Sequence, residues 1–236
     1  MLLALWSPKG GSGTSVLATS CALVVARGPA GACRVADLAG DQPAILGLAT
    51  EPELGLGDWL DAGPEAPADA LERLLVEVAP GVALLPMGSA ERTLRPRAAA
   101  EAGAALAVVL RDAAVPVVAD CGRADEPASR AVVEVADAAV VVVRGCYLAL
   151  RRAVRSPVLR SCIGAVLVDE PGRSLTRREI ADVLGVPVLA RVPLRDTVAR
   201  AVDAGVLASR LPDVLARAAT LTVARSGIVP ASGAAA

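Results

Sequence analysis

The chain has 236 residues, a formal net charge of −1 and a hydrophobic fraction of 54%. That length suits one α/β domain with a full core, and the near-neutral charge gives no overall field that would attract DNA or an anionic membrane. The absence of histidine excludes histidine-based triads and histidine-containing metal sites. With no phenylalanine, and only Trp6, Trp59 and Tyr147 as aromatic residues, the chain lacks a stacking platform for single-stranded nucleic acid.

Cysteine usage and hydropathy indicate the compartment. Five cysteines, an odd number without a C-x-x-C spacing, predict reduced thiols in a cytosolic protein. The apolar stretch 131–143 contains Glu134 and Asp137 and is too short for a membrane span. The first residues lack the basic segment and longer apolar run of a secretory signal peptide, so we expect a cytoplasmic protein. The cysteines are Cys21, Cys33, Cys121, Cys146 and Cys162.

Residues 2–27 predict a strand, a glycine loop and a helix. The apolar run 2–6 is broken by Ser7 and Pro8, and a helical apolar pattern follows over 16–27. Glycines allow close backbone approach, and exposed N–H groups at a helix N-terminus attract anions. We therefore predict that the loop binds an oligophosphate. Its residues are Lys9, Gly10, Gly11, Ser12, Gly13, Thr14 and Ser15.

Three positions of this loop decide what it can offer a phosphate. The usual pattern is G-x-x-x-x-G-K-[ST]. Ser15 matches its last position, whose hydroxyl binds Mg²⁺, and Thr14 takes the position of its lysine. Lys9 begins the loop and is the only lysine, since 23 of the 24 basic residues are arginine. A lysine placed at random among those positions would fall here about one time in 24, which favours a role for a compact ammonium group. The alternative is a Gly/Ser turn with an incidental lysine.

The rest of the chain alternates strand and helix patterns. The apolar strands show no two-residue alternation, as expected when helices cover both faces of a sheet. We predict an α/β fold with a doubly wound, mostly parallel sheet, in a single domain over 1–225 with a disordered tail over 226–236. Further strands are predicted at 33–38, 82–86, 115–119, 139–143, 162–168 and 188–192. Further helices are predicted at 44–48, 57–60, 69–78, 97–111, 128–135, 147–159, 176–184, 196–204 and 213–224, with a polar loop at 87–96.

Carboxylates follow two of these strands. Asp37 closes the strand 33–38, with Asp41 in the polar turn after it, and Asp120 follows the strand 115–119. Ligands of open α/β sheets bind at such carboxyl ends. An apolar strand that ends in aspartate near a phosphate loop indicates a carboxylate that orients Mg²⁺-bound water. The alternative for each aspartate is a helix cap or a solvated strand end.

The loop resembles the deviant Walker A motif K-G-G-x-G-K-[ST] of the MinD/ParA family of P-loop ATPases. The segments 164–188, 191–196 and 198–205 are similar to the late part of such proteins, and are closest to the TadZ/CpaE branch, which positions Flp/Tad pilus machinery, and to septum-site proteins. The resemblance implies an ATP- and Mg²⁺-binding switch that forms a homodimer. Lys9 would reach the partner's nucleotide, and loop residues 10–15 would hold phosphates.

Three departures from the family pattern bear on activity. Thr14 replaces the loop lysine. Asp37 matches the first aspartate of the family's Asp-x-Asp, but Ala39 takes the second place, which Asp41 would have to fill. Asp169 stands where the family's asparagine reads adenine, and a carboxylate accepts but cannot donate. Because phosphoryl transfer depends on neutralising the phosphate charge, we expect nucleotide binding with weak or absent hydrolysis.

Two other functions stay open from the sequence. A ParA-type DNA-partitioning ATPase could use Arg151, Arg152 and Arg155 on phosphates, although a solvated helix face is commoner and the neutral net charge argues against it. The second open function is a scaffold that keeps the fold and has lost its ligand. The helix 213–224 is poor in cations for a membrane-surface helix, so we expect any recruitment to the membrane or cell pole to come from a pilus or septum partner.

Overall fold

The structure, a computed structural model, describes residues 1–89 and 95–228. Across these residues eight strands form one sheet in the order β3-β4-β2-β5-β1-β6-β7-β8, and every neighbouring pair is parallel except β3 and β4. This confirms the predicted α/β fold with a mostly parallel sheet. The strands are β1 Leu2–Trp6, β2 Cys33–Asp37, β3 Val76–Ala79, β4 Val82–Leu85, β5 Val117–Asp120, β6 Ala138–Arg144, β7 Cys162–Asp169 and β8 Val188–Pro193.

Helices cover both faces of the sheet. Leu3 and Leu5 of β1 pack into one apolar cluster with α1 and α9, while Leu2 and Trp6 pack into a second cluster with α4 and α5. The strands are therefore buried on both sides, which explains their continuous apolar sequences. The helices are α1 Thr14–Arg27, α2 Gln42–Ile45, α3 Leu56–Asp61, α4 Pro96–Arg111, α5 Pro127–Val135, α6 Tyr147–Arg155, α7 Arg177–Leu184, α8 Asp196–Asp203 and α9 Asp213–Ser226.

The helix predicted over 69–78 is wrong in its second half. The segment forms a 3₁₀ helix, Ala68–Leu74, followed by β3, which pairs antiparallel with β4. Val76 and Val78 are β-branched and favour a strand. Gly81, with φ of +73°, makes the tight turn into β4. The leucine spacing favours a helix, but residues 76–79 instead pair with β4 as a strand.

Two other boundaries differ from the prediction. The helix predicted over 147–159 ends at Arg155 because Pro157 disfavours helical backbone at Ser156, and the 3₁₀ segment Pro157–Ser161 follows. Helix α9 extends to Ser226, and Ile228 packs against the α1 side of the sheet. The predicted disordered tail therefore starts too early at 226. Its remainder, 229–236, and part of the predicted loop, 90–94, lie outside the described residues.

The structure shows the state of the cysteines and the lengths of the described helices. All five cysteines are free, and four of them are buried. In the part of the chain that is described, no helix is both long enough and apolar enough to cross a membrane.

Candidate functional site

The glycine loop joins β1 to α1 at the carboxyl edge of the sheet. Ser12 Oγ donates to the carbonyl of Lys9 at 2.6 Å, and Ser7 Oγ donates to the same carbonyl at 3.1 Å. Gly11 and Gly13 have φ of +71° and +82°, and no atom lies within 4 Å of where their Cβ atoms would stand. The loop is thus held by its own hydroxyls, while its glycine backbone faces open space.

The start of α1 adds uncapped donors to this loop. Gly13 is the N-cap, and it brings no side-chain hydrogen bond to the first turn. The first N–H groups of a helix have no partner within the helix and carry the positive end of the helix dipole. Loop and helix therefore present several converging N–H donors, as an anion site requires.

Thr14 occupies the position of the missing lysine. The residue is 5% exposed, and its Oγ1 is buried without a hydrogen-bond partner among the described residues. A buried polar atom without a partner costs free energy. The start of α1 thus contributes an unpaired hydroxyl instead of an ammonium group.

Two buried carboxylates lie beside the loop. Asp37 and Asp120 end adjacent strands and are register partners of β2 and β5, and neither is exposed. Asp37 Oδ1 accepts from the N–H of Ala39 at 3.0 Å and of Gly40 at 2.7 Å, while its Oδ2 accepts from the N–H of Gln42 at 3.0 Å. The strand register therefore brings together the two aspartates that the sequence placed at strand ends.

Burial changes the acidity of this pair. Desolvation raises the pKa of Asp37 to about 7, the Asp120 charge adds to the rise, and the three backbone N–H donors oppose it. Desolvation also raises the pKa of Asp120, against hydrogen bonds from the Ser15 and Gln42 side chains. The negative charge of Asp120 therefore disfavours ionisation of Asp37, as expected for buried like charges.

Gln42 connects the hydrogen bonds of this region, although no motif in the sequence singles it out. The residue is fully buried. Its Nε2 donates to Asp120 Oδ2 at 2.9 Å and to the Ser15 carbonyl at 3.0 Å, and its Oε1 accepts from Thr19 Oγ1 at 2.6 Å. The amide thus links α1, α2 and β5. Its only sequence signal is a place in the polar turn before Pro43.

Ser15 completes the polar edge of the site. Its hydroxyl lies 3.5 Å from Asp41 Oδ2 and also hydrogen-bonds Asp120. The structure therefore brings the side chains of Ser15, Asp41 and Asp120 close together. Among the described residues no three His, Cys, Asp or Glu side chains cluster to hold a metal ion. A Mg²⁺ ion here would therefore take most of its ligands from phosphate and water.

Two cavities flank the loop. One, of about 570 Å³, has both polar and apolar walls, and its lining includes 10–16, Asp41, Ile45 and the turn 121–126. A smaller one of about 330 Å³ shares Gly11, Ser12 and Gly13 and extends to the β8–α8 connection. Its lining is largely apolar and includes Val168 and Val192. One side of the loop thus suits phosphates and a cation, and the other suits an apolar ring.

Four predicted site residues are not in the described lining of these cavities: Asp37 and Asp120, which are fully buried, and Asp169 and Lys9. Asp169 ends β7, but its carboxylate pairs with the Arg191 guanidinium and the residue is not in the described lining of either cavity. Lys9 is half-buried and lines neither cavity as described. No described carboxylate forms an ion pair with its ammonium.

The architecture and the glycine loop together define a P-loop NTPase-like α/β protein. The ParA family ATPase of Chlorobium tepidum TLS matches with a TM-score of 0.72 at 20% identity, over 94% of this chain and 96% of that one. MinD of Pyrococcus horikoshii OT3, a septum site-determining protein complexed with Mg-ADP, matches at 0.71 and 18%, over 93% of both chains. An ATP complex of Cyanothece McdA matches at 0.72 and 15%, over 98% and 97%.

These likenesses define the fold, and the chain has the fold of the MinD/ParA ATPases. No protein-family model matches the chain, and no curated protein is significantly similar to it in sequence. The assignment to the TadZ/CpaE branch therefore stays a prediction from sequence segments. The roles of individual residues are inferred from the motifs and the geometry.

Proposed function

We propose that this protein binds ATP with Mg²⁺ at the glycine loop and works as a MinD/ParA-type nucleotide switch. One observation carries the proposal: the open glycine backbone leads into the uncapped start of α1, where Ser15 hydrogen-bonds buried Asp120, the register partner of Asp37. Converging N–H donors next to hydroxyl and carboxylate oxygens match a phosphate–magnesium group.

The residues present fit this ligand. Backbone N–H groups of 10–15 would hold the phosphates, and Ser15 would be a direct Mg²⁺ ligand, with Asp120 acting through water. The apolar cavity beside Val192 would take the base. The solved structures with Mg-ADP and with ATP share this fold, which supports the choice of ligand.

Lys9 is the residue through which the switch would form a homodimer. It is the only lysine of the chain, it begins the loop, and it lines neither described cavity of its own subunit. A half-buried ammonium without a described carboxylate partner is suited to a partner subunit's phosphate. Self-association would then depend on the triphosphate.

Hydrolysis is expected to be weak or absent. Thr14 supplies no positive charge, and one lost electrostatic donor costs about 3–4 kcal/mol of transition-state stabilisation in other enzymes. Asp37 already accepts three backbone N–H hydrogen bonds, and Ala39 stands where the family pattern has its second aspartate. Ground-state binding depends more on the backbone, so it would be affected less than turnover.

The cellular role that this switch supports best is the positioning of a Tad/Flp pilus or septum complex. The resemblance of 164–188 and 191–196 to the TadZ/CpaE branch supports it. We place the protein in the cytoplasm, with recruitment to the membrane or cell pole by that partner. Salt-dependent binding to nonspecific DNA would favour the ParA-type partitioning function instead.

Equilibrium binding of labelled ATP, ADP and a nonhydrolysable ATP analogue, with and without Mg²⁺, tests the proposal. We expect saturable, Mg²⁺-dependent binding of about one nucleotide per chain, and slow turnover in parallel. Lys9→Ala should keep nucleotide binding and lose triphosphate-dependent dimerisation, whereas Arg97→Ala, an exposed control, should change neither. Absence of binding would leave the scaffold as the remaining function, and turnover at ordinary family rates would contradict the slow-hydrolysis part.

A further inference from the structure

The 570 Å³ cavity beside the glycine loop needs a cationic side chain that the loop does not provide. Thr14 contributes only a hydroxyl, and Lys9 is not among the residues described as lining the cavity. The described lining contains one basic residue, Arg123. A triphosphate adds charge at its terminal phosphate, and this charge has to be neutralised for tight binding. Arg123 is therefore the candidate for that task.

The turn that carries Arg123 is fastened to the glycine loop. After β5, the Gly122 carbonyl accepts from the Ser7 N–H at 2.8 Å, and the Gly122 N–H donates to Asp120 Oδ1 at 3.1 Å. Arg123 Cδ stands 3.7 Å from the place where a Cβ would lie at Gly10. The arginine stem thus lies over the start of the loop, close to where phosphate oxygens would bind.

The guanidinium is held only loosely in its present place. Arg123 pairs with Asp125 at 2.7 Å, but the two side chains are 58% and 59% exposed. Ion pairs exposed to this degree contribute little to stability. The Arg123 side chain can exchange this partner for a more strongly charged phosphate at small cost.

The surrounding charge favours that exchange. On the other side of Arg123 a cavity of about 420 Å³ is lined by Arg130, Arg152 and Arg155. Arg130 donates to the carbonyls of Ala124 and Asp125, while no described carboxylate pairs with Arg152 or Arg155. Like charges repel, so the Arg123 guanidinium is disfavoured in this basic cavity and is favoured on the side of the glycine loop.

We propose that Arg123 binds the terminal phosphate of the triphosphate within its own subunit and replaces the missing loop lysine in sensing it. The proposal rests on nucleotide binding at the loop, as inferred above. With a diphosphate the guanidinium stays on Asp125; with a triphosphate it forms a forked contact with two phosphate oxygens. Arg123 would thereby distinguish ATP from ADP and transmit the difference to the turn 121–126.

The test compares the affinities of Mg²⁺–nonhydrolysable ATP analogue and Mg²⁺–ADP in wild type and Arg123→Ala. A lost charge-assisted hydrogen bond predicts about tenfold or greater weakening for the ATP analogue, with less than about twofold change for ADP. Arg123→Lys should recover part of the difference, because an ammonium keeps the charge but lacks the fork. Arg152→Ala makes the same change in net charge on the neighbouring cavity and should leave the ATP-to-ADP ratio unchanged.

The possible results separate the two proposals. If wild type binds neither nucleotide, the nucleotide-binding proposal itself is wrong. If wild type binds both and Arg123→Ala keeps the ATP-to-ADP ratio, or weakens both ligands equally, only the role of Arg123 is overturned. A loss of preference confined to protein concentrations at which dimers form would contradict contact within one subunit. Asp125→Asn, which releases the guanidinium, should strengthen binding of the ATP analogue.

Discussion

Three strand-end aspartates of this sheet face very different surroundings. Asp37 and Asp120 are fully buried and bound by backbone N–H groups, Ser15 and Gln42. Asp169, two strands beyond β1, has a side chain 35% exposed and pairs with Arg191, which is 54% exposed. The same residue type at equivalent strand ends thus becomes either a fixed, poorly solvated acid or an ordinary surface charge. Neighbouring donors and burial decide between these outcomes.

The largest expected difference between these regions is in pH dependence. The folded pKa of Asp37, about 7, lies above its ordinary value of 3.8. Between these values the folded state holds more protons than the unfolded state, so the free energy of unfolding should fall as pH rises from about 4 to about 7. The loss from this group is about 4 kcal/mol in magnitude, and the destabilisation is fully present above pH 7.

Urea unfolding of wild type and Asp120→Asn at pH 4.5 to 8 measures this dependence. Removing the Asp120 charge should lower the folded pKa of Asp37, so the loss of stability should become smaller and be complete at a lower pH. Asp169→Asn is the matched substitution at the exposed aspartate and should leave the profile nearly unchanged. A wild-type profile that rises through this window would contradict the argument from burial.

Gln42→Ala should destabilise the fold by removing hydrogen bonds from the buried region without changing its charge. The substitution leaves Asp120 Oδ2, the Ser15 carbonyl and the Thr19 hydroxyl without the amide partner that each now has. Buried polar groups left unsatisfied predict a loss of about 2–4 kcal/mol in the free energy of unfolding. Chemical denaturation measures it. A loss below about 0.5 kcal/mol would mean that the network is dispensable.

Arg191→Ala is expected to have the smallest effect. It removes the partner of Asp169, but the pair is partly exposed, and such pairs contribute about 0–1 kcal/mol. The same denaturation assay measures it alongside Gln42→Ala. An Arg191→Ala loss as large as that of Gln42→Ala would show that Asp169 belongs to a buried network after all.

Much of the fold follows from the sequence because its strands are continuous apolar runs. The glycine loop, β1, β2 and β5 lie where the pattern predicts, and their strand ends place Asp37 and Asp120 side by side. The sequence pattern does not predict the hairpin β3–β4. Leucines with helical spacing precede the β-branched residues within the same ten-residue segment, so the whole segment resembles a helix.

The site is less predictable than the fold. Motif spacing identifies Ser15, Asp37 and Asp120, since each stands beside a recognisable strand or helix end. Gln42 and Arg123 carry no such signal: one sits in a polar turn, and the other follows a glycine after β5. The roles proposed for them rest on tertiary contacts with Asp120 and Gly10, which a single sequence does not display.

The most direct test of the central claim is amide hydrogen exchange with and without Mg²⁺ and the nonhydrolysable ATP analogue. If the loop and the start of α1 hold the phosphates, the amides of 10–16 should become markedly protected, while those of α4, which packs on the other face of the sheet and lines neither cavity as described, should not. Saturating analogue that leaves the exchange of 10–16 unchanged would contradict the account.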